Sequence, residues 1–298
     1  MNSFKVKRNH FQKTLENHFA TIGLLVISIL IFLINHLFFH YHGNQYIPSI
    51  AFTFTLYMVF FYAFTYGFPA LISLRSYFKD GLAIGLCVLS ISFATNAIQL
   101  TPFKTIDHLL GRFELLPLTS IIHWTKSHTP LFSFLTNIYN SLNSMLVIVP
   151  IVLIIFQEKI ELHAFYQFIM RSTVIGFLIY FFFPSCGPAS FFPKEFFEYY
   201  QLDNSLKFQQ IHHGLYPTTE LGGLIAFPSF HVIWAYACVY PLEKRAWIQS
   251  MMYLWFIFIC ISCVMLGWHY SLDIVGSLGI IWLTRKIIPA NFSQILGQ

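Results

Sequence analysis

The feature that most limits this chain is the recurrence of apolar runs about as long as a lipid bilayer is thick. One is "TIGLLVISILIFLINHLFF" at 21–39. In hydrocarbon no water satisfies backbone N–H and C=O groups, so an open run of this kind has to close its hydrogen bonds within itself as a helix. Roughly 20 apolar residues make one crossing. That measure gives eight candidate spans, of which the fourth and sixth are short: about 21–41, 49–74, 81–100, 141–157, 165–184, 227–242, 247–267 and 270–288. Only 10% of the 298 residues are charged and 56% are hydrophobic, whereas soluble domains carry about 25% charged residues. The sequence therefore predicts an all-α fold, a polytopic integral membrane helix bundle with about eight spans. The basic "MNSFKVKRNHFQK" before the first run, with no small-residue cleavage pattern after it, reads as the flank of a signal-anchor helix.

Charge orients the bundle. With the N-terminus inside, the inner segments hold Lys5, Lys7, Arg8, Lys13, Arg75, Lys79, Lys159, Lys244, Arg245, Arg285 and Lys286. The outer segments hold Lys104, Arg112, Lys126, Lys194 and Lys207. This asymmetry obeys the positive-inside rule with both termini cytoplasmic, and a bacterial inner membrane is the expected setting. The two long outer connections, about 101–140 and 185–226, mix aromatics, Pro and His with few charges, a composition suited to interfacial or re-entrant helices. No basic stripe with interleaved aromatics marks a nucleic-acid surface. The five cysteines are odd in number and lack zinc-site spacing, so they predict neither a disulfide framework nor a structural metal. His36 and His40 in "HLFFHYH" have no carboxylate or cysteine beside them and read as interfacial side chains, as do Trp268 and Tyr270.

Two short stretches put polar groups where burial is costly. "FPSFH" at 227–231 opens the sixth run, and "HYSLD" at 269–273 opens the eighth. The two runs point the same way, so His231 and His269 begin at one membrane depth on the outer side. Asp273 follows His269 by four residues and shares its helix face. Ionisable groups inside spans are functional candidates by default. A carboxylate that accepts the proton of one imidazole nitrogen leaves the other as a nucleophile or base, and a second histidine can serve as general acid and base. Pro228 suits the start of a helix. Ser229 and the free N–H groups of the sixth helix suit an anion.

These stretches resemble the P-S-x-H and H-x-x-x-D motifs of the type-2 phosphatidic acid phosphatase superfamily. The H-Y-x-x-D form and "FFFPSCGPASFF" at 181–192 are most similar to the branch that contains inositol phosphorylceramide synthase and sphingomyelin synthase. The resemblance implies a six-helix phosphatase-like core within 81–298, preceded by an extension of two spans in 1–80. It implies a lipid phosphatase or phosphotransferase that needs no metal or other cofactor. Its substrate is then a membrane lipid carrying a phosphate or phosphodiester headgroup, and its acceptor water or an alcohol. On the same basis His269 is the nucleophile, Asp273 its orienting partner, His231 the acid/base, and Ser229 and Phe230 contribute to phosphate and substrate binding. The K-x6-R-P pattern of the superfamily is missing, and Cys263 stands where the third motif has an arginine. Lys194, Lys207, Arg112, His212 and His213 are the outer-loop candidates for the missing positive charge, with Lys194 and His213 singled out. The residues alone also admit a polytopic transporter or scaffold whose histidines and aspartate form a proton or ligand site.

Overall fold

The computed structural model describes residues 2–41, 49–219, 225–242 and 246–288, without the side chains of 2–20, 49–51 and 69. His42 and the inner cations Lys5, Lys7, Arg8, Lys13, Lys244 and Arg245 lie outside that description. Among the described residues the fold is helical, at 81% helix with no strand. In chain order the helices are α1 (Asn2–Phe39), α2 (Ser49–Gly67), α3 (Arg75–Ile98), α4 (Asp107–Arg112), α5 (Leu118–Ser127), α6 (Thr129–Ile155) and α7 (Lys159–Phe182). They continue with α8 (Tyr199–His212), α9 (Phe230–Val239), α10 (Ala246–Met265) and α11 (Ser271–Ile287).

Among the described residues, five stretches are long and apolar enough to cross a membrane: Thr21–Phe39, Ala70–Ile98, Thr129–Ile155, Lys159–Phe182 and Ala246–Met265. The other expected crossings fall on shorter helices. Phe52–Gly67 and Phe230–Leu242 are apolar, and α11 has 17 residues. Two helices start earlier than the apolar pattern predicts. α6 begins at Thr129 rather than 141, because the polar residues of this stretch do not break it: the Thr136 hydroxyl donates to Phe132 O at 2.8 Å. α7 begins at Lys159 rather than 165, where Lys159 Nζ pairs with Asp80 and donates to Ser76 Oγ. The long connections contain the helices α4, α5 and α8.

α9 forms the centre. It packs on α6, α7, α10 and α11, and Val232, Ile233, Ala235, Ala237, Cys238 and Val239 are completely buried. A helix apolar on every side belongs inside a bundle, and its alanines and cysteine let neighbouring backbones approach. α3 packs on α6 and α7 and carries α1 and α2 on its other faces. Gly81 and Gly85 make the α2 contact possible: a Cβ on Gly85 would stand 2.6 Å from Thr55 Oγ1 and 3.1 Å from Thr55 Cα. α1 is tied to α3 by Asn35 Nδ2–H to Ala97 O at 3.1 Å.

The described cations of α7 and α11 gather at one end of the bundle. Arg171 donates to Ile287 O at 3.2 Å, and Arg285 to Tyr236 Oη at 2.6 Å. His231 and His269 occupy the opposite end, at the start of α9 and just before α11.

Candidate active site

The first turn of α9 is set by packing. Ser229 is its N-cap residue, and Pro228 lies outside the helix rather than at the first helical position expected for it. Phe230 is wedged between α7 and α9, with ring centroids 5.0 Å from Phe177 and 5.1 Å from Trp234. Gly176 leaves the space for it, since a Cβ there would meet Phe230 Cζ at 2.7 Å. This wedge orients the next residue, His231. The Ser229 side chain makes no capping bond. Its Oγ, fully buried, lies 3.9 Å from Cys263 Sγ.

α10 ends at a left-handed glycine, Gly267 (φ 79°), the usual device for stopping a helix and turning the chain. The turn folds back so that Trp268 N–H and His269 N–H both donate to Cys263 O, at 3.1 and 3.0 Å. His269 is then held from two sides. Its Nδ1 lies 2.9 Å from Ala226 O and 3.2 Å from Asp273 Oδ2. Both partners are acceptors, so Nδ1 carries the proton and Nε2 presents its lone pair. Asp273 also caps α11: its Oδ2 accepts Tyr270 N–H at 3.0 Å, and a carboxylate in the first turn is favoured by the helix dipole. Asp273 is completely buried, and its Oδ1 has no partner among the described residues.

The second imidazole faces the first. The His231 and His269 ring centroids are 6.0 Å apart, close enough for both to reach one tetrahedral anion. His231 is stacked on Tyr139 of α6 at 3.9 Å between centroids and 18° between planes, with Tyr139 Oη 3.2 Å from its Nδ1. Ser277 joins the two halves, donating to Asp273 O at 2.7 Å and Ser229 O at 3.1 Å.

A buried carboxylate, an imidazole with a fixed tautomer and a second imidazole across a small gap form the arrangement that the two motifs suggest. The family model described as the PAP2 superfamily matches residues 108–287, more than half of the chain. The chain belongs to the PAP2 superfamily. No curated protein and no solved structure matches it. PAP2 membership suggests phosphatase or phosphotransferase chemistry on a lipid-like substrate, in the membrane setting that the apolar helices provide.

Cys263, at the position where the sequence resemblance implies an arginine, lies against Ser229, so the neutral pair Ser229–Cys263 occupies that corner. Tyr139 was not visible from the sequence, because the chain has 16 tyrosines and nothing in residue type or spacing sets this one apart. Beyond Tyr139 opens a cavity of about 280 Å³ whose walls include Asn140, Glu198, Tyr200 and Trp268. The Trp268 ring is nearly parallel to both Tyr139 (5.5 Å) and Tyr200 (5.6 Å).

Of the expected outer-loop groups, Lys194 and His213 are exposed, and His213 Nδ1 bonds Gln209 O of its own helix. Neither is brought against His231 or His269 by a described contact. Lys207, by contrast, is completely buried on α8. His212 is used structurally, with Nδ1 and Nε2 each 2.8 Å from a carbonyl, Phe208 O and Thr101 O. The interfacial reading of Tyr270 is corrected. It is fully buried, and its hydroxyl reaches Asp107 O and Gly187 O at 3.4 and 3.3 Å, because the turn after Gly267 directs it inward. Trp268 is part of the aromatic stack rather than a free anchor. His36 Nδ1 lies 2.9 Å from Tyr41 O.

Asp107, outside the spans, was also missed. Burial lifts its carboxyl above the usual carboxylate range, and hydrogen bonds from Cys186, Ser185 and Gly187 pull the other way.

Proposed function

We propose that this protein is a membrane lipid phosphatase or lipid phosphotransferase that works through a phosphohistidine on His269, without a metal ion. The observation that carries this reading is the pair of acceptors on His269 Nδ1, which leaves Nε2 as the nucleophile beside His231. In the first step Nε2 attacks phosphorus and the P–O bond to the leaving group breaks. His231 gives its proton to the departing alkoxide, and Asp273 with Ala226 O stabilises the imidazolium. In the second step His231 takes a proton from water or an alcohol, whose oxygen attacks phosphorus as the P–N bond breaks. Ser229 Oγ and the N–H groups of the first turn of α9 are the groups assigned to hold phosphate oxygens.

Eight crossings with both termini cytoplasmic accord with the gathering of cations at the end away from the histidines. The chemistry then sits at headgroup depth on the outer face, where a lipid enters sideways from the bilayer. Hydrolysis and transfer differ only in whether water or an alcohol accepts the phosphoryl group, and the same two histidines serve both.

The test is to offer purified protein radiolabelled lipid phosphates and phosphodiesters, with and without alcohols, and to identify the products. Phosphate release or headgroup exchange is expected, with a base-stable, acid-labile label on the protein. Full turnover by His269→Ala would remove the nucleophile assignment. A wild-type protein with neither turnover nor label would favour the transporter or scaffold reading.

A further inference from the structure

Asp107 opens α4 in the connection between α3 and α6, and only 4% of it is exposed. Its carboxylate is enclosed by donors from the connection between α7 and α8. Ser185 Oγ–H at 2.7 Å and Gly187 N–H at 3.0 Å meet Oδ1, and Cys186 N–H at 3.0 Å meets Oδ2. Ile106 N–H adds a bond to Pro184 O at 2.8 Å. Three donors on one buried carboxyl group, with the Ile106–Pro184 bond beside them, clamp Pro184–Gly187 to the start of α4.

The clamped segment lies against the turn that carries His269. Gly187 adopts φ 96°, and a Cβ there would come within 3.1 Å of Trp268 O. Ser185 O accepts Ala226 N–H at 3.0 Å. Ala226 O in turn accepts the His269 Nδ1 proton at 2.9 Å, closer than Asp273 Oδ2 at 3.2 Å. The orienting partner of the nucleophile is therefore double, and the backbone half of it hangs from a loop fixed by Asp107. Tyr270 braces the same assembly through Asp107 O and Gly187 O.

We propose that Asp107 is a positioning residue for His269: by clamping Ser185–Gly187 it fixes the Ala226 carbonyl, which together with Asp273 keeps the proton on Nδ1 and aims Nε2 at the substrate. The catalytic consequence rests on the proposed phosphohistidine chemistry, whereas the tautomer follows from the geometry alone.

Two readouts test it on the full chain in detergent or nanodiscs. In ¹⁵N-histidine-labelled protein, with His269 assigned by its absence from His269→Ala, the wild type shows one neutral tautomer protonated at Nδ1. Asp107→Asn, which sets a side-chain N–H against the Cys186 or Gly187 amide, gives a mixture of tautomers. In turnover the same variant loses about 10²-fold in kcat, the scale of a small misplacement, with KM little changed. Combined with Asp273→Asn it costs less than the product of the two losses, because both act through one ring.

An unchanged His269 tautomer, an unchanged kcat, or losses that multiply in full would overturn the proposal. Should Asp107→Asn fail to fold, Ser185→Ala keeps the carboxylate and both amide bonds. It is expected to broaden the tautomer signal and lower kcat by roughly 3–10-fold, one lost hydrogen bond, and unchanged ring-nitrogen shifts there would equally overturn the idea. If the wild type turned over no lipid phosphate while Asp107→Asn still changed the tautomer, the proposed function would fall and the clamp would stand.

Discussion

His269 is 4% exposed and has its Nδ1 proton aimed at a backbone carbonyl and a buried carboxylate, whereas His231, on the facing helix, is half-buried and rests against the flat of the Tyr139 ring. One imidazole is locked by directional bonds to groups that cannot move independently. The other is held mainly by shape, with a single hydroxyl near one nitrogen. A nucleophile must present the same nitrogen to phosphorus in every turnover, which a fixed tautomer ensures. A group that donates and then accepts a proton has to be stable in both protonation states, and a hydroxyl neighbour tolerates both because it can accept or donate. The contrast in surroundings thus accords with a division of labour between the two rings.

The strongest way to break that contrast is to delete each ring in turn. His269→Ala is expected to lower kcat by at least about 10⁴-fold, the scale seen when a covalent nucleophile is lost, and to abolish the phosphoprotein. Rapid-quench measurement with labelled substrate reads both.

His231→Ala is expected to cost about 10²–10⁴-fold with an alkoxide leaving group, the usual range for general acid–base catalysis. A substrate whose leaving group needs no proton, such as a p-nitrophenyl ester, should recover most of the first step and accumulate phosphoprotein. If the two variants behaved alike with both leaving groups, the separate roles would be wrong.

How much of this was legible in the sequence follows from what each feature is made of. The apolar runs announced helices because backbone in hydrocarbon has few alternatives. His231, His269 and Asp273 were legible because ionisable side chains are rare in such runs and the i,i+4 spacing fixes a shared face. The early start of α6 was hidden by polar residues such as Thr136, whose hydroxyl is satisfied by Phe132 O. Ala226 supplies only a backbone carbonyl, which leaves no trace in residue identity. Asp107 lies some 160 positions from His269 in a connection with no periodic pattern, and only tertiary folding brings Ser185–Gly187 around it. Lys194 and His213 are in the expected connection but exposed, since residue type and loop membership do not say which side of a loop faces inward.

Smaller changes sharpen the contrast without deleting either ring. Tyr139→Phe keeps the stacked face and removes only the hydroxyl 3.2 Å from His231 Nδ1. One hydrogen bond is worth about 1 kcal/mol, so a loss in kcat of roughly 3–10-fold is expected. It should be concentrated on substrates with alkoxide leaving groups. A uniform loss across leaving groups would assign Tyr139 to packing instead.

The smallest effect is expected from Ser277→Ala. Its hydroxyl donates to Asp273 O on its own helix and to Ser229 O at the start of α9, so it links the two halves without touching either imidazole. Ser229 O also accepts Ile233 N–H at 3.2 Å, so losing the serine leaves that carbonyl satisfied, and the cost should stay within about 1 kcal/mol. A change of that size in kcat, equal for activated and unactivated leaving groups, would show that the linkage sets the spacing of the rings and nothing else. A loss confined to phosphoprotein formation would instead place Ser277 on the His269 side, through Asp273, and make the two halves less independent than their surroundings indicate.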